Sequence, residues 1–138
     1  MTYALDSNTV SYFFRGEGNV ENNLQQKINQ AGDSYAIPFI VFYEVRRWLF
    51  DKPTKIKKIF IQDFKDLFEN VKDKAEMPAE VWEKAADIYI ALKQKGQLIS
   101  DADILIAAYC IVNNYILVTS NTRDFERVDG LKFMNWYE

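Results

Sequence analysis

The sequence predicts an α/β domain with a central, mostly parallel sheet whose two faces are covered by helices. Three observations predict it. Short apolar segments alternate with longer stretches of helical spacing through the whole length. Several short segments stop at Asp, Ser, Thr or Asn, the residues that cap a following helix. The stretch from Asp101 to Asn113 is apolar on every side, so it needs neighbours all round.

Tyr3-Ala4-Leu5 is a short apolar segment ending at Asp6-Ser7-Asn8-Thr9, which reads as a strand running into a helix start. A polar helix is expected from Val20 to Ala31, closed by Gly32. Ser34 to Ile37 reads as a second strand, and Pro38, at a first helical position, opens a helix to about Phe50. Ile56, Ile59, Phe60, Phe64, Leu67 and Phe68 keep helical spacing, as do Val81, Trp82, Ala85, Ile88, Tyr89 and Leu92 between Pro78 and Gly96. Each of these two helices should lay one face on the core. Asn70-Val71-Lys72 between them is a strand candidate. Ile116 to Thr119 follows the apolar helix as a strand, and Leu131 to Trp136, after the Asp129-Gly130 turn, as a last short one. No repeat, linker or low-complexity segment divides the chain, so one domain over 1–138 is expected.

Composition excludes several chemistries. The chain has 138 residues and no histidine, so His-based zinc sites, Ser-His-Asp triads and histidine general bases are unavailable. Its one cysteine, Cys110, has no partner for a disulfide, which suits a reducing, cytoplasmic setting. The longest apolar run, Ile104 to Val112, is too short to span a bilayer, and the start lacks the pattern of a secretory signal. A net charge of −3 argues against gripping nucleic acid through overall positive potential. A carboxylate site carries its own negative charge until metal binds, so the balance still suits a metal-dependent hydrolase.

Open α/β sheets place ligands beyond the carboxyl ends of their strands, and acidic residues recur there. Asp6 closes the first strand, where capping the next helix is the alternative role. Asp103 lies in the first turn of the apolar helix, with Asp101 beside it; two carboxylates and Ser100 exceed what a cap requires. Glu44 falls at the edge of the apolar stripe formed by Ile40, Val41, Val45 and Trp48, where a carboxylate needs a partner, a proton or a metal. A buried ion pair is the alternative there. Asp124 follows a strand end as Asp6 does, and taken alone reads as a solvated turn residue. Clustered carboxylates need counter-charge, and hard cations such as Mg²⁺ or Mn²⁺ take oxygen ligands and keep waters, one of which can be activated against a phosphodiester.

Leu5-Asp6-Ser7-Asn8-Thr9, Tyr43-Glu44-Val45, Asp103-Ile104-Leu105-Ile106-Ala107-Ala108 and Val118-Thr119-Ser120-Asn121-Thr122-Arg123-Asp124-Phe125-Glu126-Arg127-Val128 follow one another in an order that resembles the PIN-domain family, specifically its VapC-type toxins. The likeness covers essentially the whole chain. It implies a three-layer α/β/α sandwich and an endoribonuclease using Mg²⁺ or Mn²⁺, acting on structured RNA such as tRNA. It further implies a homodimer held inactive by a VapB-like antitoxin. Carried over, Asp6 and Asp103 match the principal metal ligands and Glu44 the acidic helper. The family commonly has an acid at the position of Asn121 or of Asp124, and here Asp124 qualifies. Asp101, Asn121 and Thr119 are secondary candidates. Trp48 stands where the family often has glycine.

Arg46 and Arg47, with Lys52, Lys55, Lys57 and Lys58, form the densest basic stretch, and Arg46 is the candidate for RNA contact, against a solvated helix face as the alternative. The competing classes fare differently. A haloacid-dehalogenase-like phosphatase wants a second aspartate where Asn8 stands, and a receiver domain wants an acidic pair near its start. A PIN-like binding module without catalysis is the main alternative.

Overall fold

The computed structural model describes residues 1–71 and 76–138. Four short strands, β1 (Thr2–Leu5), β2 (Ser34–Ala36), β3 (Ile116–Val118) and β4 (Phe133–Met134), form one sheet in the order β2-β1-β3-β4. Every neighbouring pair is parallel, with Ala4 opposite Ala36 and Leu117, and Val118 opposite Met134. Parallel strands are covered on both faces, which explains why β1 and β3 read as unbroken apolar runs rather than alternating ones. Ala4, Leu117 and Val118 are completely buried.

The order of strands creates the crevice that matters. From β1 the chain passes to β2 on one side, then crosses back to β3 on the other side of β1. The sheet therefore reverses its winding between β1 and β3, and helices diverge there above the carboxyl ends of the strands.

Helix α1 (Ser7–Arg15) starts at Asp6, whose side chain accepts from the Ser7 N–H, and stops at Gly16 in the left-handed region. The expected helix over 20–31 is split: α2 (Val20–Leu24) is α-helical, but Gln25–Gln30 winds as a π-helix. No side chain of that segment is buried to hold tighter winding, and the chain it delivers lets the Ser34 N–H reach the Met1 carbonyl at 3.0 Å, where β2 begins. Helix α3 (Phe39–Phe50) follows Pro38, which is its cap rather than its first residue. Its buried positions Val41, Val45 and Leu49 recur every four residues.

Helices α4 (Thr54–Glu69) and α5 (Ala79–Gln94) form where expected but bury narrower stripes. Phe64 and Leu67 of α4 are buried, while Ile56 and Ile59 face solvent. On α5, Val81, Ala85, Ile88 and Leu92 are buried, and Trp82 and Tyr89 lie off that line and exposed. Spacing alone cannot separate a stripe one residue wide from one two residues wide. The strand candidate at 70–72 does not form at Asn70 and Val71, which continue from α4 as irregular backbone; Lys72 lies outside the described residues. Helix α6 (Asp101–Asn113) is buried along most of its length, with Ile106, Ala107, Ala108, Tyr109 and Cys110 wholly out of solvent. Short α7 (Thr122–Phe125) plugs the core with Phe125.

The last strand is shorter than the expected 131–136, and beyond it the Tyr137 N–H turns back onto Asn135 Oδ1 at 2.8 Å. Trp136 instead packs on Tyr3, ring centroids 5.1 Å apart, and covers the sheet. The terminus then latches beneath the α1–α2 turn, where the Asn19 N–H donates to the Tyr137 carbonyl at 3.1 Å. Gly18 permits this approach: its φ is +65°, and a Cβ there would lie 2.6 Å from the Tyr137 carbonyl oxygen. Gly16 shares that φ but faces open space. Gly16→Ala should therefore lose about 1 kcal/mol, from the left-handed backbone alone, and Gly18→Ala distinctly more, as read from urea unfolding midpoints. Equal losses would show that the latch contributes nothing.

Candidate active site

Asp6 sits at the carboxyl end of β1, directly beside Thr119 at the end of β3, because Leu5 and Val118 are in register. It is 3 % exposed. Such a group costs several kcal/mol unless hydrogen bonds replace its water. Here Oδ1 accepts from the Ser7 N–H at 2.7 Å, and Oδ2 accepts from the Thr119 hydroxyl at 2.8 Å and the Asn8 amide at 3.3 Å. Burial still outweighs these bonds and raises the Asp6 pKa. Thr119 Oγ1, wholly buried, also accepts from the Asn121 N–H at 3.0 Å, and Asn8 Oδ1 takes the Ser120 N–H at 3.1 Å. Thr119 and Asn8 thus act as positioning residues that clamp the β1 and β3 ends together. Asn8 is the member that sequence reasoning does not nominate; its one signal is an amide in the first turn of a helix already capped by Asp6.

Asp103 enters from α6. Ser100 caps that helix by accepting from the Asp103 N–H at 3.2 Å, which leaves the Asp103 carboxylate free of capping duty. Asn121 joins it to Asp124: the amide donates to Asp103 Oδ2 at 3.4 Å and to Asp124 Oδ2 at 3.1 Å. The Asp103 pKa is pushed up to about 6, first by burial, then by the charges of Asp6 and Asp124. Asp124 also has Arg127 at 3.9 Å. Asp101, two residues earlier on α6, is exposed and takes no part in these bonds.

Glu44, half-buried on α3, completes the group from the opposite wall. Burial raises its pKa, the charges of Asp6 and Asp103 raise it further, and Arg47 with Ser7 works the other way. The structure thus brings Asp6, Glu44, Asp103 and Asp124 into one electrostatic neighbourhood, with Thr119 and Asn121 between them. Arg46 lies on another side of α3, its guanidinium 4.2 Å from the Phe50 ring centroid, and Arg47 is the arginine that shares a cavity with Glu44. A larger cavity of about 540 Å³ lies away from these acids, between the α2 and α4 flanks.

Whether this donor set fits a cation depends on how many protein ligands the cation demands. Among the described residues no three acidic side chains converge into a ready-made cage. Nor does an ion pair among those residues reach Asp6, Glu44 or Asp103, although Asp6 and Asp103 raise the Glu44 pKa and Asp6 raises that of Asp103. Mg²⁺ needs only one or two carboxylates because it keeps several waters. The oxygens of Asp6 and Asp103, with Glu44 and Asp124 around them, therefore suit a hard divalent ion.

Known proteins resemble this chain in sequence and in fold. The family model for the PIN domain matches residues 3–131. The chain is 29% identical to ribonuclease VapC2 of Rickettsia felis over 99% of this chain and 98% of the relative. It is 44% identical to ribonuclease VapC1 of Methanocaldococcus jannaschii over 50% of this chain and 49% of that one. Among solved structures, VapBC2 from Rickettsia felis bound to a promoter DNA fragment superposes with a TM-score of 0.86 at 26% identity, covering 99% of both chains. FitAcB from Neisseria gonorrhoeae gives 0.81 at 23% identity, again over 99% of both, and speaks for the fold alone. The sheet flanked by helices is the three-layer α/β/α arrangement of these structures.

Two outcomes follow from the geometry. Thr119→Val keeps the side-chain shape but leaves Asp6 Oδ2 with only the longer Asn8 bond and strands the Asn121 N–H, and should lose about 1–3 kcal/mol in chemical denaturation. For pH, Asp103 titrates near 6 when folded against an ordinary 3.8, so its contribution is fully present below about pH 4 and lost as pH rises through about 6. Thermal melts in chelator should fall over that interval. Asp103→Asn should flatten the fall and raise stability at pH 7 by roughly 1 kcal/mol, discounted for partial solvent screening. A variant no more stable than its parent at pH 7 would contradict the charge conflict.

Proposed function

Because the chain belongs to the PIN-domain family, we propose that it is a Mg²⁺- or Mn²⁺-dependent endoribonuclease, the toxin of a toxin–antitoxin pair. The observation that carries this reading is the convergence of Asp6 and Asp103 at the β1/β3 crevice. Their charges raise the Glu44 pKa, Asp6 raises that of Asp103, and no described basic side chain pairs with either aspartate. The names of its relatives, ribonucleases VapC1 and VapC2, support RNA as substrate. The solved VapBC complexes support a VapB-like antitoxin as partner. Structured RNA such as tRNA, a homodimer and a cytoplasmic setting complete the proposal. Among the described residues no helix is long and apolar enough to cross a membrane.

A bound divalent ion would supply Lewis-acid polarisation of the phosphodiester and a nucleophilic water at neutral pH. The chain's own residues do the rest. Thr119 and Asn8 fix the Asp6 carboxyl group, and their hydrogen bonds favour its ionised form against the burial that raises its pKa. Asp103, titrating near neutrality, keeps an oxygen available once its proton leaves. Glu44, with its raised pKa, is placed to take or return a proton at its carboxylate. Asn121 bridges Asp103 and Asp124 by donating to both.

That last contact favours a second reading, a PIN-like binding module without cleavage, because an amide stands between two acids where a carboxylate would add charge for a cation. The two readings separate in one experiment: end-mapped cleavage of mixed cellular RNA with Mg²⁺ or Mn²⁺ and with chelator, beside Asp103→Asn. Discrete metal-dependent cuts should fall at least about 100-fold in the variant, equivalent to roughly 3 kcal/mol of transition-state stabilisation. Cuts unchanged by Asp103→Asn would overturn the nuclease. Asn121→Asp should enlarge the rise in melting temperature on adding Mn²⁺, since ligand binding to the native state adds stability; a smaller rise would mean the amide already serves the cation better.

A further inference from the structure

Beside the acidic group lies a separate cavity of about 280 Å³, lined by Ser7, Asn8, Ser11, Glu44, Arg47 and Trp48. We propose that this cavity is a subsite for one unpaired nucleotide of the RNA, adjoining the bond to be cut, with Trp48 as the wall against which its base lies. The inference rests on the nuclease reading for its substrate but stands on its own geometry.

The cavity approaches the lower end of small-ligand pockets, which begin near about 300 Å³. It is too small for a folded segment and suited to a single planar group. It shares Glu44 with the acidic cluster, so anything seated in it is next to the reacting position. One wall is aromatic. Trp48 is half-buried, and its ring lies parallel to that of Phe14, with 5° between planes and centroids 6.4 Å apart. A half-buried indole with an aromatic neighbour offers a base a platform, and unpaired bases are what such platforms hold. The polar lining divides in two. Asn8 is fully engaged in the β1/β3 clamp and cannot turn toward a ligand. The Ser11 hydroxyl lines the cavity and can meet a base edge or a 2′-hydroxyl. Cations lie on the aromatic surface: the Arg47 guanidinium is over the Tyr43 ring at 5.1 Å, and the Lys52 ammonium is over the Trp48 ring, 4.9 Å from its centroid, where an entering base takes its place. A nucleotide brings a phosphate on each side of its base, and these are the groups that answer it. A duplex cannot enter, because its bases are stacked and paired.

The test separates binding from cleavage. Asp103→Asn protein, in Mg²⁺, is titrated with labelled single-stranded RNA hexamers of each base and with a duplex of the same length, following anisotropy and tryptophan fluorescence together. Expected is a saturable quench with hexamers that is absent with duplex. Trp48→Phe should abolish the quench yet keep the affinity, and Trp48→Ala should weaken affinity about ten-fold, within the range of base–aromatic stacking. In the otherwise unaltered enzyme, Trp48→Ala and the conservative Ser11→Ala should raise KM and redistribute the cut positions while kcat stays within about two-fold. A quench equal for hexamer and duplex, or unchanged in Trp48→Phe, overturns the subsite, and so does an unaltered affinity in Trp48→Ala. Should the unaltered chain cut nothing while the Trp48-dependent quench persists, the nuclease reading falls and the subsite stands. Metal-dependent cuts without the quench leave the nuclease standing and overturn the subsite.

Discussion

A single buried carboxylate dictates how the two central strands end. Asp6 lies at the point where the sheet reverses, almost without solvent, and the sheet can close there only if hydrogen bonds stand in for the water it has lost. Thr119 supplies the shortest side-chain bond, and it can do so because β1 and β3 are parallel and in register, so that the residue after each strand meets the other. The hydroxyl has a second obligation, to the Asn121 N–H, and Asn8 ties the Ser120 N–H to the same corner. Strand pairing, the start of α1 and the turn into α7 are therefore one network. No part of it can be moved without unsatisfying another.

That network solves the burial of Asp6 but creates a conflict around it. Asp103 and Glu44 are directed to the same crevice from α6 and α3, and each feels the charge of the others as well as partial desolvation. A fold selected only for stability would neutralise such a group with lysine or arginine, or replace it by apolar side chains. Here Arg47 and Arg127 stay at the margins, on Glu44 and Asp124. The helix dipole at the start of α6 favours a carboxylate at Asp103, yet its pKa still rises to about 6. The acids are held apart enough to fold and close enough to raise one another's pKa, a conflict that a bound cation would relieve.

Much of this is legible in the sequence, and the part that is not has definite causes. Helix α6 and strands β1 and β3 stand out because complete burial leaves unbroken apolar runs, and α4 and α5 because their spacing is long and regular. Asp6, Asp103 and Glu44 stand out because a carboxylate at a strand end, or inside an apolar stripe, contradicts its surroundings. The order of strands is hidden, since parallel pairing leaves no turn signature to say which strand lies beside which. Without that order, Thr119 is one threonine among several, and Asn8 a helix-start residue. The π-helical winding after Leu24 and the exposure of Trp82 and Tyr89 depend on packing across the chain, which spacing does not encode. The choice between Arg46 and Arg47 turns on about 100° of helix rotation, finer than an unaligned projection resolves.

Charge distribution governs how an acidic chain could engage RNA. With a net charge of −3, long-range attraction is not available, and the acids of the crevice would themselves repel phosphate in the absence of a cation. Any productive grip must then come from short-range groups whose action does not depend on the overall field. α3 concentrates such groups on one side: Tyr43, Arg47 and Trp48 lie within two turns, beside Glu44. A guanidinium next to an aromatic ring is more weakly hydrated than an ammonium in open water, and loses less on meeting a phosphate. The same helix that supplies an acid to the crevice thus offers the surface able to overcome its repulsion. Discrimination for unpaired RNA would then arise from shape and stacking at α3 rather than from charge, which would put both chemistry and selectivity under control of one twelve-residue element.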